Sequence, residues 1–318
     1  FASATASGGI GRVRGFGWRL QGTAKRAGNM RTADYYLMNT GVLENNYSAA
    51  VGFNNAVLKA EIYLSHFNTE LGIFSGAHIG SVNDLQYRLQ TGRPLEDGAF
   101  DYQVGVPSQH VNHDLLKVKG HLHTSKHSKL SLTYGFQSNT RQEYDVPRGG
   151  RSNIPSLDMR LNTQTFDVTF EHYTNNGWKS IAGVNGILQV NNNTPGTGVT
   201  PLIPNFDSYT AGVYAIQRLV RNSYELEAGL RFDHKYLDAL GYNSSQELYG
   251  GTRTFNNLSG SLGATVHISD DLHARTNLST AWRAPSVNEL YSDGLHHGVA
   301  AVERGLSSLS SEQGYKWM

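Results

Sequence analysis

Residues 224–234 read Tyr-Glu-Leu-Glu-Ala-Gly-Leu-Arg-Phe-Asp-His, and this stretch decides the fold class. Apolar or small side chains occupy every second position from Tyr224 to Phe232, and mostly charged residues such as Glu225 and Asp233 stand between them. Successive side chains of an extended strand point to opposite faces, so this pattern predicts a strand with one apolar and one polar face. No stretch of comparable length has helical periodicity.

The same period-two alternation recurs along most of the chain. It is strict in 129–137, 164–172 and 258–266, and it is present in 47–53, 57–66, 115–123, 178–190 and 208–217. We expect about a dozen strands, near the ~10-residue length that tilted membrane strands need. Strands in soluble sandwiches are shorter, at about five or six residues.

The predicted connections alternate in length. Short polar turns are expected at 54–55, 124–128, 175–177, 221–222 and 269–271, and long loops at 67–113, 139–163, 191–207, 237–253 and 284–313. Short turns on one side and long loops on the other are typical of bacterial outer-membrane barrels. The sequence therefore predicts an all-β chain folded as a transmembrane antiparallel β-barrel.

Composition narrows the function classes. The 318 residues are 38% hydrophobic and 17% charged, with a formal net charge of +1 and no cysteine. The near-zero charge gives no basic field for nucleic acid, and the missing cysteines exclude disulfides, thiol catalysis and cysteine-bound zinc. The chain contains no run of 18 apolar residues, so the sequence predicts no transmembrane helix. Serine, histidine and aspartate form no nucleophile-elbow or zincin pattern, so we predict neither an enzyme nor a bound cofactor.

One further segment carries a family resemblance. Residues 280–303 read Thr-Ala-Trp-Arg-Ala-Pro-Ser-Val-Asn-Glu-Leu-Tyr-Ser-Asp-Gly-Leu-His-His-Gly-Val-Ala-Ala-Val-Glu. This segment resembles the region around the Phe-Arg-Ala-Pro box of TonB-dependent outer-membrane receptors, with Trp282 where phenylalanine is usual. Segments 34–41, 47–53 and 106–113 are also similar to that family, whereas its second box, Asn-Pro-Asn-Leu, is represented near 305–309 only by Leu309. Trp282 is expected to end the apolar face of its strand, and Pro285 to end the strand pairing because it lacks an N–H.

The resemblance implies a fold and a function. Residues 1–318 would be one partial barrel domain, a fragment of a 22-stranded barrel with both ends missing and with its N-terminal plug domain outside this chain. Such a receptor imports a scarce nutrient, namely an iron chelate, haem or a metal ion such as zinc, across the bacterial outer membrane. The TonB–ExbB–ExbD complex would supply the energy through the plug. The alternative is a passive porin-like channel or a surface-binding outer-membrane barrel.

The strongest ligand candidates are His296 and His297, which stand in a glycine-flanked loop. They look similar to the ligand-bearing loop of the receptors that import zinc or haem, and imidazole nitrogen ligates both zinc and haem iron. Adjacent residues of an extended chain point to opposite sides, so one of the two is the expected ligand, with Glu289 or Glu303 completing the site. The alternative is a polar extracellular loop that carries surface histidines.

Two other groups are candidates. His78, His110 and His113 flank the expected loop 67–113 and would meet a ligand only if the fold assembled them. Their spacing matches no local zinc motif. Lys117, Lys119, His121 and His123 alternate with apolar residues, so all four share one face of one strand. A lysine in the lipid mid-plane costs about 2–4 kcal/mol, so this row is expected to face the lumen. It would contact plug carboxylates or water there, or guide anionic chelates.

Overall fold

The chain forms a single long antiparallel meander. The computed structural model describes residues 1–74, 76, 82–94, 97–145, 153–243, 245–296 and 301–318. Thirteen strands hydrogen-bond in the order β1 to β12 followed by β15, and β13 and β14 form a separate pair. The strands are β1 Ala2–Gly9, β2 Phe16–Ala27, β3 Val42–Asn54, β4 Leu58–Gly72, β5 Ser108–Ser125, β6 Ser128–Tyr144, β7 Leu157–Tyr173, β8 Trp178–Asn193, β9 Asn205–Val220, β10 Tyr224–Tyr242, β11 Leu248–His267, β12 His273–Arg283, β13 Asp293–His296, β14 Ala301–Arg304 and β15 Glu312–Trp317.

The connections alternate between the two ends of the sheet. One end carries the short turns 10–15, 55–57, 126–127, 174–177, 221–223 and 268–272. The opposite end carries 28–41, 73–107, 145–156, 194–204, 243–247 and 284–311. We call these the short-turn end and the long-loop end. The short-turn end is the periplasmic end in outer-membrane barrels.

The two faces of the sheet differ in polarity. Val184, Val213, Phe232 and Leu258 are successive cross-strand partners, and these apolar side chains are 45%, 51%, 45% and 63% exposed. Whole rows of half-exposed apolar side chains would be costly in water but are the expected lipid-facing surface of a barrel. The opposite face is polar, and we refer to the two as the apolar face and the polar face.

The apolar core of the chain lies on the polar face, at the long-loop end. Leu237, Ala239 and Phe255 come from β10 and β11, and Val287, Leu290 and Tyr291 come from a short helix that packs on them. This helix is α2, Val287–Tyr291, and a second helix, α1, spans Val82–Thr91. Within the described residues, neither helix is long and apolar enough to cross a membrane.

Two expectations about the elements are wrong, and two strands were missed. The predicted loop 237–253 is largely strand, because β10 extends to Tyr242 and β11 begins at Leu248. Here the alternation reverses, since Leu237 and Ala239 put apolar groups on the polar face beneath α2. The resemblance of 34–41 and 47–53 to the family predicts an early barrel hairpin, but 34–41 is a connection, and β3, which contains 47–53, pairs with β2 and β4. Strands β1 and β2 were not predicted at all.

Candidate functional site

Connection 284–311 folds onto the polar face at the long-loop end, and α2 anchors it. Ser286 is the N-cap of α2, with its side chain accepting from the Glu289 amide, while the Glu289 carboxylate accepts from the Ser286 amide. This capping box satisfies N–H groups that a helix start leaves open. Leu290, with 2% of its side chain exposed, packs with Val287 and Tyr291 against the wall formed by β10 and β11. The fold thus fixes the root of this connection.

Arg283 joins α2 to two strands. Its guanidinium donates to both Glu289 oxygens at 2.6 and 2.8 Å and to both Glu312 oxygens at 3.2 and 2.8 Å. Bidentate arginine–carboxylate pairs have defined geometry as well as charge. Arg283, and after it the Ser286 amide and hydroxyl, lower the pKa of Glu289 to about 2. Next to this pair, Lys235 Nζ donates to the Pro285 carbonyl at 3.1 Å, which ties the Arg-Ala-Pro turn to β10.

A buried polar network lies beside α2 on the same wall. Asp233 is 3% exposed and accepts from Arg231 Nε at 2.7 Å and from Trp282 Nε1 at 3.2 Å. Arg231 also donates to Asn185 Oδ1 at 2.9 Å. A Cβ at Gly212 would stand 2.2 Å from the Arg231 guanidinium, so this network needs glycine there. Trp282 therefore lies on the polar face, contrary to the expectation that it ends the apolar face.

A cavity of about 460 Å³ opens between α2, the start of the β13–β14 pair and the ends of β10 and β11. Tyr249 Oη and Ser292 Oγ line it, and both are buried without a hydrogen-bond partner among the described residues. Asp293 and Arg304, a cross-strand pair of β13 and β14, close its rim. Unpaired buried hydroxyls next to a cavity are the kind of polar group that a ligand or water satisfies.

The predicted histidine ligands fall in different places. His296 is the last residue of β13, three residues along the strand from Asp293 at the rim of this cavity, and its side chain lies outside the described part of the structure. His297 and His78 lie outside the described residues altogether. Glu289 is engaged at both carboxylate oxygens by Arg283 and Ser286. Its observed contacts are those of a structural residue.

His110 and His113 lie in β5 rather than in a loop, which corrects their predicted placement. His110 stands opposite Glu70 on the continuation of the apolar face, with its Nε2 3.5 Å from the Glu70 carboxylate. His113 points to the polar face, where its Nδ1 is 3.3 Å from Asn139. The fold therefore separates these two histidines because three residues along a strand reverse the direction of the side chain. Among the described residues, no three histidine, aspartate or glutamate side chains form a group suited to a metal ion.

Lys117, Lys119, His121 and His123 share the polar face of β5, opposite to Leu116 and Leu122. Lys117 Nζ is 3.7 Å from Glu61 on β4, and His121 Nδ1 is 2.9 Å from Ser131 on β6. Residues of the neighbouring strands β4 and β6 thus supply some of the partners of this row. The sequence alone did not identify these partners, because identifying them requires the strand register.

The order of elements, the two-faced sheet and the Arg-Ala-Pro turn agree with one family. Residues 32–317 match the family described as TonB dependent receptor-like, beta-barrel. The chain belongs to the TonB-dependent receptors. Proteins of this family are transporters of the Gram-negative outer membrane rather than enzymes. No curated protein sequence matches the chain.

Solved structures of other receptors share this fold. The hemophore receptor HasR of Serratia marcescens, in complex with its hemophore HasA and heme, is 14% identical over 99% of this chain and 47% of its own, with a TM-score of 0.66. The copper transporter OprC is 13% identical over 98% and 47%, with a TM-score of 0.66. The closed form of the ferric-catecholate import receptor Fiu from E. coli K12 is 13% identical over 92% and 50%, with a TM-score of 0.65.

This TonB-dependent receptor chain spans about half the length of the solved receptors it matches. It therefore contains part of a barrel wall. The similar structures are receptors or transporters for cargo as different as heme, copper and ferric catecholate, so the shared fold leaves the ligand of this chain open.

Proposed function

We propose that this chain is part of the wall of an outer-membrane receptor that imports a scarce nutrient, either an iron chelate, haem or a metal ion such as zinc. The observation that carries the proposal is the anchored connection 284–311. A loop that is capped, ion-paired and packed onto its own inner wall presents its residues at the mouth in one fixed arrangement. A receptor needs such rigidity, because binding sites work best on preorganised elements.

The ligand would meet the receptor above the cavity lined by Tyr249 and Ser292. Its unpaired hydroxyls offer polar contacts, β13 leads from its rim to His296, and His297 is the next residue in the sequence. We propose that one of these two imidazoles ligates zinc or haem iron, as in the zinc- and haem-importing receptors. Glu289 stays in its ion pair with Arg283 and helps to hold α2 in place rather than binding the ligand, since a metal would have to displace Arg283 from its carboxylate.

Calorimetry of the full-length protein tests the ligand. Zn²⁺, haem and a panel of ferric siderophores are titrated into wild type, His296→Ala and His297→Ala. We expect one of the two variants to lose zinc or haem binding. His127→Ala is the matched control, because this histidine lies in turn 126–127 at the short-turn end. Unchanged zinc and haem binding in both loop variants would contradict the imidazole ligand.

The energy source needs a separate experiment. We propose that the TonB–ExbB–ExbD complex drives transport through a plug domain that is not part of this chain. Uptake of the bound ligand is measured in cells with and without TonB. Accumulation against a gradient is expected only when TonB is present. Equal uptake in both strains would instead indicate a passive porin-like channel.

A further inference from the structure

Two histidines face each other at the short-turn end, far from the mouth. His267 ends β11 and His273 begins β12, and the two are cross-strand partners next to turn 268–272. Their Nδ1 atoms are 2.9 Å apart, and their ring centroids are 4.7 Å apart at an interplanar angle of 78°. The neighbouring pair Val266 and Ala274 belongs to the apolar face, so both imidazoles stand on the polar face.

The separation of the two Nδ1 atoms is compatible with both of them binding one metal ion. Imidazole nitrogen binds divalent metals at about 2.0–2.1 Å, so two ligands at 90° around one ion have nitrogens about 2.9 Å apart. At a tetrahedral angle the same bonds put them about 3.3 Å apart. The observed 2.9 Å matches adjacent positions of a square-planar or tetragonal ion. Cu²⁺ and Ni²⁺ take that geometry with nitrogen and oxygen ligands.

We propose that His267 and His273 form a binding site for Cu²⁺, with both Nδ1 atoms in adjacent equatorial positions and water in the others. Each histidine binds as neutral imidazole through Nδ1, so the proton is carried on Nε2. The described residues contain no group of three histidine or carboxylate side chains, so the site has two protein ligands and stays open to solvent. It is independent of the ligand proposed for the mouth.

The surroundings support this site. Glu225 Oε1 lies 3.9 Å from His267 Nε2, on the side of the ring that faces away from the shared gap. This distance is beyond hydrogen-bond range and Glu225 is the partner of Arg218, so the carboxylate adds negative charge near the site rather than an orienting hydrogen bond. Of the nearby cations, Arg218 is paired with Glu225, and Arg275 donates to Thr265 at 3.3 Å.

The test is a Cu²⁺ titration of the full-length receptor in detergent, followed by electron paramagnetic resonance. We expect one equivalent of copper with two equatorial nitrogens. His267→Asn and His273→Asn should each lose the two-nitrogen signal, and Glu225→Gln should weaken binding because it removes the nearby negative charge. His127→Asn, which changes an exposed histidine in turn 126–127 at the same end, is the matched control and should behave as wild type.

Two results would overturn the proposal. One is a wild-type protein in which Cu²⁺ gives no two-nitrogen signal, which would mean that the two imidazoles only share a proton. The other is the same signal in His267→Asn as in wild type, which would put the copper elsewhere. A parallel Zn²⁺ titration measures selectivity, and tighter binding of Zn²⁺ than of Cu²⁺ would contradict the tetragonal geometry.

Discussion

Truncating Leu290 should release connection 284–311 from the wall of the barrel. Leu290, on α2, is 2% exposed and lies in one buried cluster with Leu237 of β10, which is fully buried. Leucine-to-alanine substitutions at buried sites cost about 2–5 kcal/mol. The receptor itself should remain folded, because the strands do not depend on this contact. The cost therefore falls on the local equilibrium between docked and undocked α2.

The size of the effect follows from this cost. Even the lower value of about 2 kcal/mol raises the undocked fraction by about 30-fold, since 1.4 kcal/mol is a factor of ten. Hydrogen exchange measured by mass spectrometry on residues 286–292 reports it. The Leu290 amide bonds to the Ser286 carbonyl at 3.2 Å and the Ser292 amide to the Asn288 carbonyl at 3.0 Å, and both bonds break on undocking.

Leu306→Ala is the matched control for this experiment. Leu306 lies in the same connection and is 56% exposed, so its truncation should leave the exchange rates unchanged. Wild-type exchange in Leu290→Ala would refute the reasoning, because it would mean that packing of α2 on the wall does not hold the connection in place.

Three further predictions follow from charge and from the two faces of the sheet. The pKa of Glu289 is about 2 against an ordinary 4.5, so its ion pair with Arg283 should stabilise docked α2 fully above about pH 4.5. This stabilisation should be lost as the pH falls toward 2. Hydrogen exchange of α2, corrected for the intrinsic exchange rates, measures the loss. Leu262→Arg should destabilise the barrel by about 2–4 kcal/mol in vesicles, as measured by urea unfolding, because Leu262 belongs to the apolar face. Asp233→Ala should cost about 1–3 kcal/mol in the same assay, because it leaves Arg231 Nε and Trp282 Nε1 without their acceptor.

Each of these predictions has its own control. Glu289→Gln should remove the acid dependence of exchange, and a persisting dependence would assign it to another group. Ser261→Arg is the control for Leu262→Arg, since it places the same charge one residue away on the polar face. It should lower the free energy of unfolding far less than Leu262→Arg does. Equal costs at the two positions would mean that the faces are wrongly assigned. Asp238→Ala removes an exposed carboxylate from the same strand and should stay within about 0.5 kcal/mol of wild type.

The strands that cross the membrane were predictable because lipid enforces the contrast between the two faces. In 224–234 every second residue is apolar or small, and the structure forms β10 there. Strand β1 was missed because alanine, serine, threonine and glycine give it no such contrast. Beyond the lipid both faces are polar, so the strand ends near Asn193 and Asn205 could not be separated from loops.

The candidate site was predictable only in part. The sequence Ser286-Val-Asn-Glu289 is a capping-box signature that could have identified α2, although only five residues follow the cap. The pairing of Arg283 with Glu312 depends on the register of β12 with β15, and sequence alone does not give it. Trp282 was assigned to the wrong face because strict alternation was extended to the end of β12, where the indole turns to Asp233.

The length of the strands sets the height of the receptor. Strand β11 has 20 residues, about 66 Å of extended chain, and at the tilt usual for barrels this rises about 50 Å. Its apolar side chains, from Val266 to Leu258, cover a rise of about 23 Å, close to the ~25 Å apolar band of outer-membrane barrels. The remainder stands as a rim on the long-loop side of the hydrocarbon. The ligand capture proposed for the mouth would therefore take place well away from the lipid, and changes in bilayer thickness should leave the mouth undisturbed.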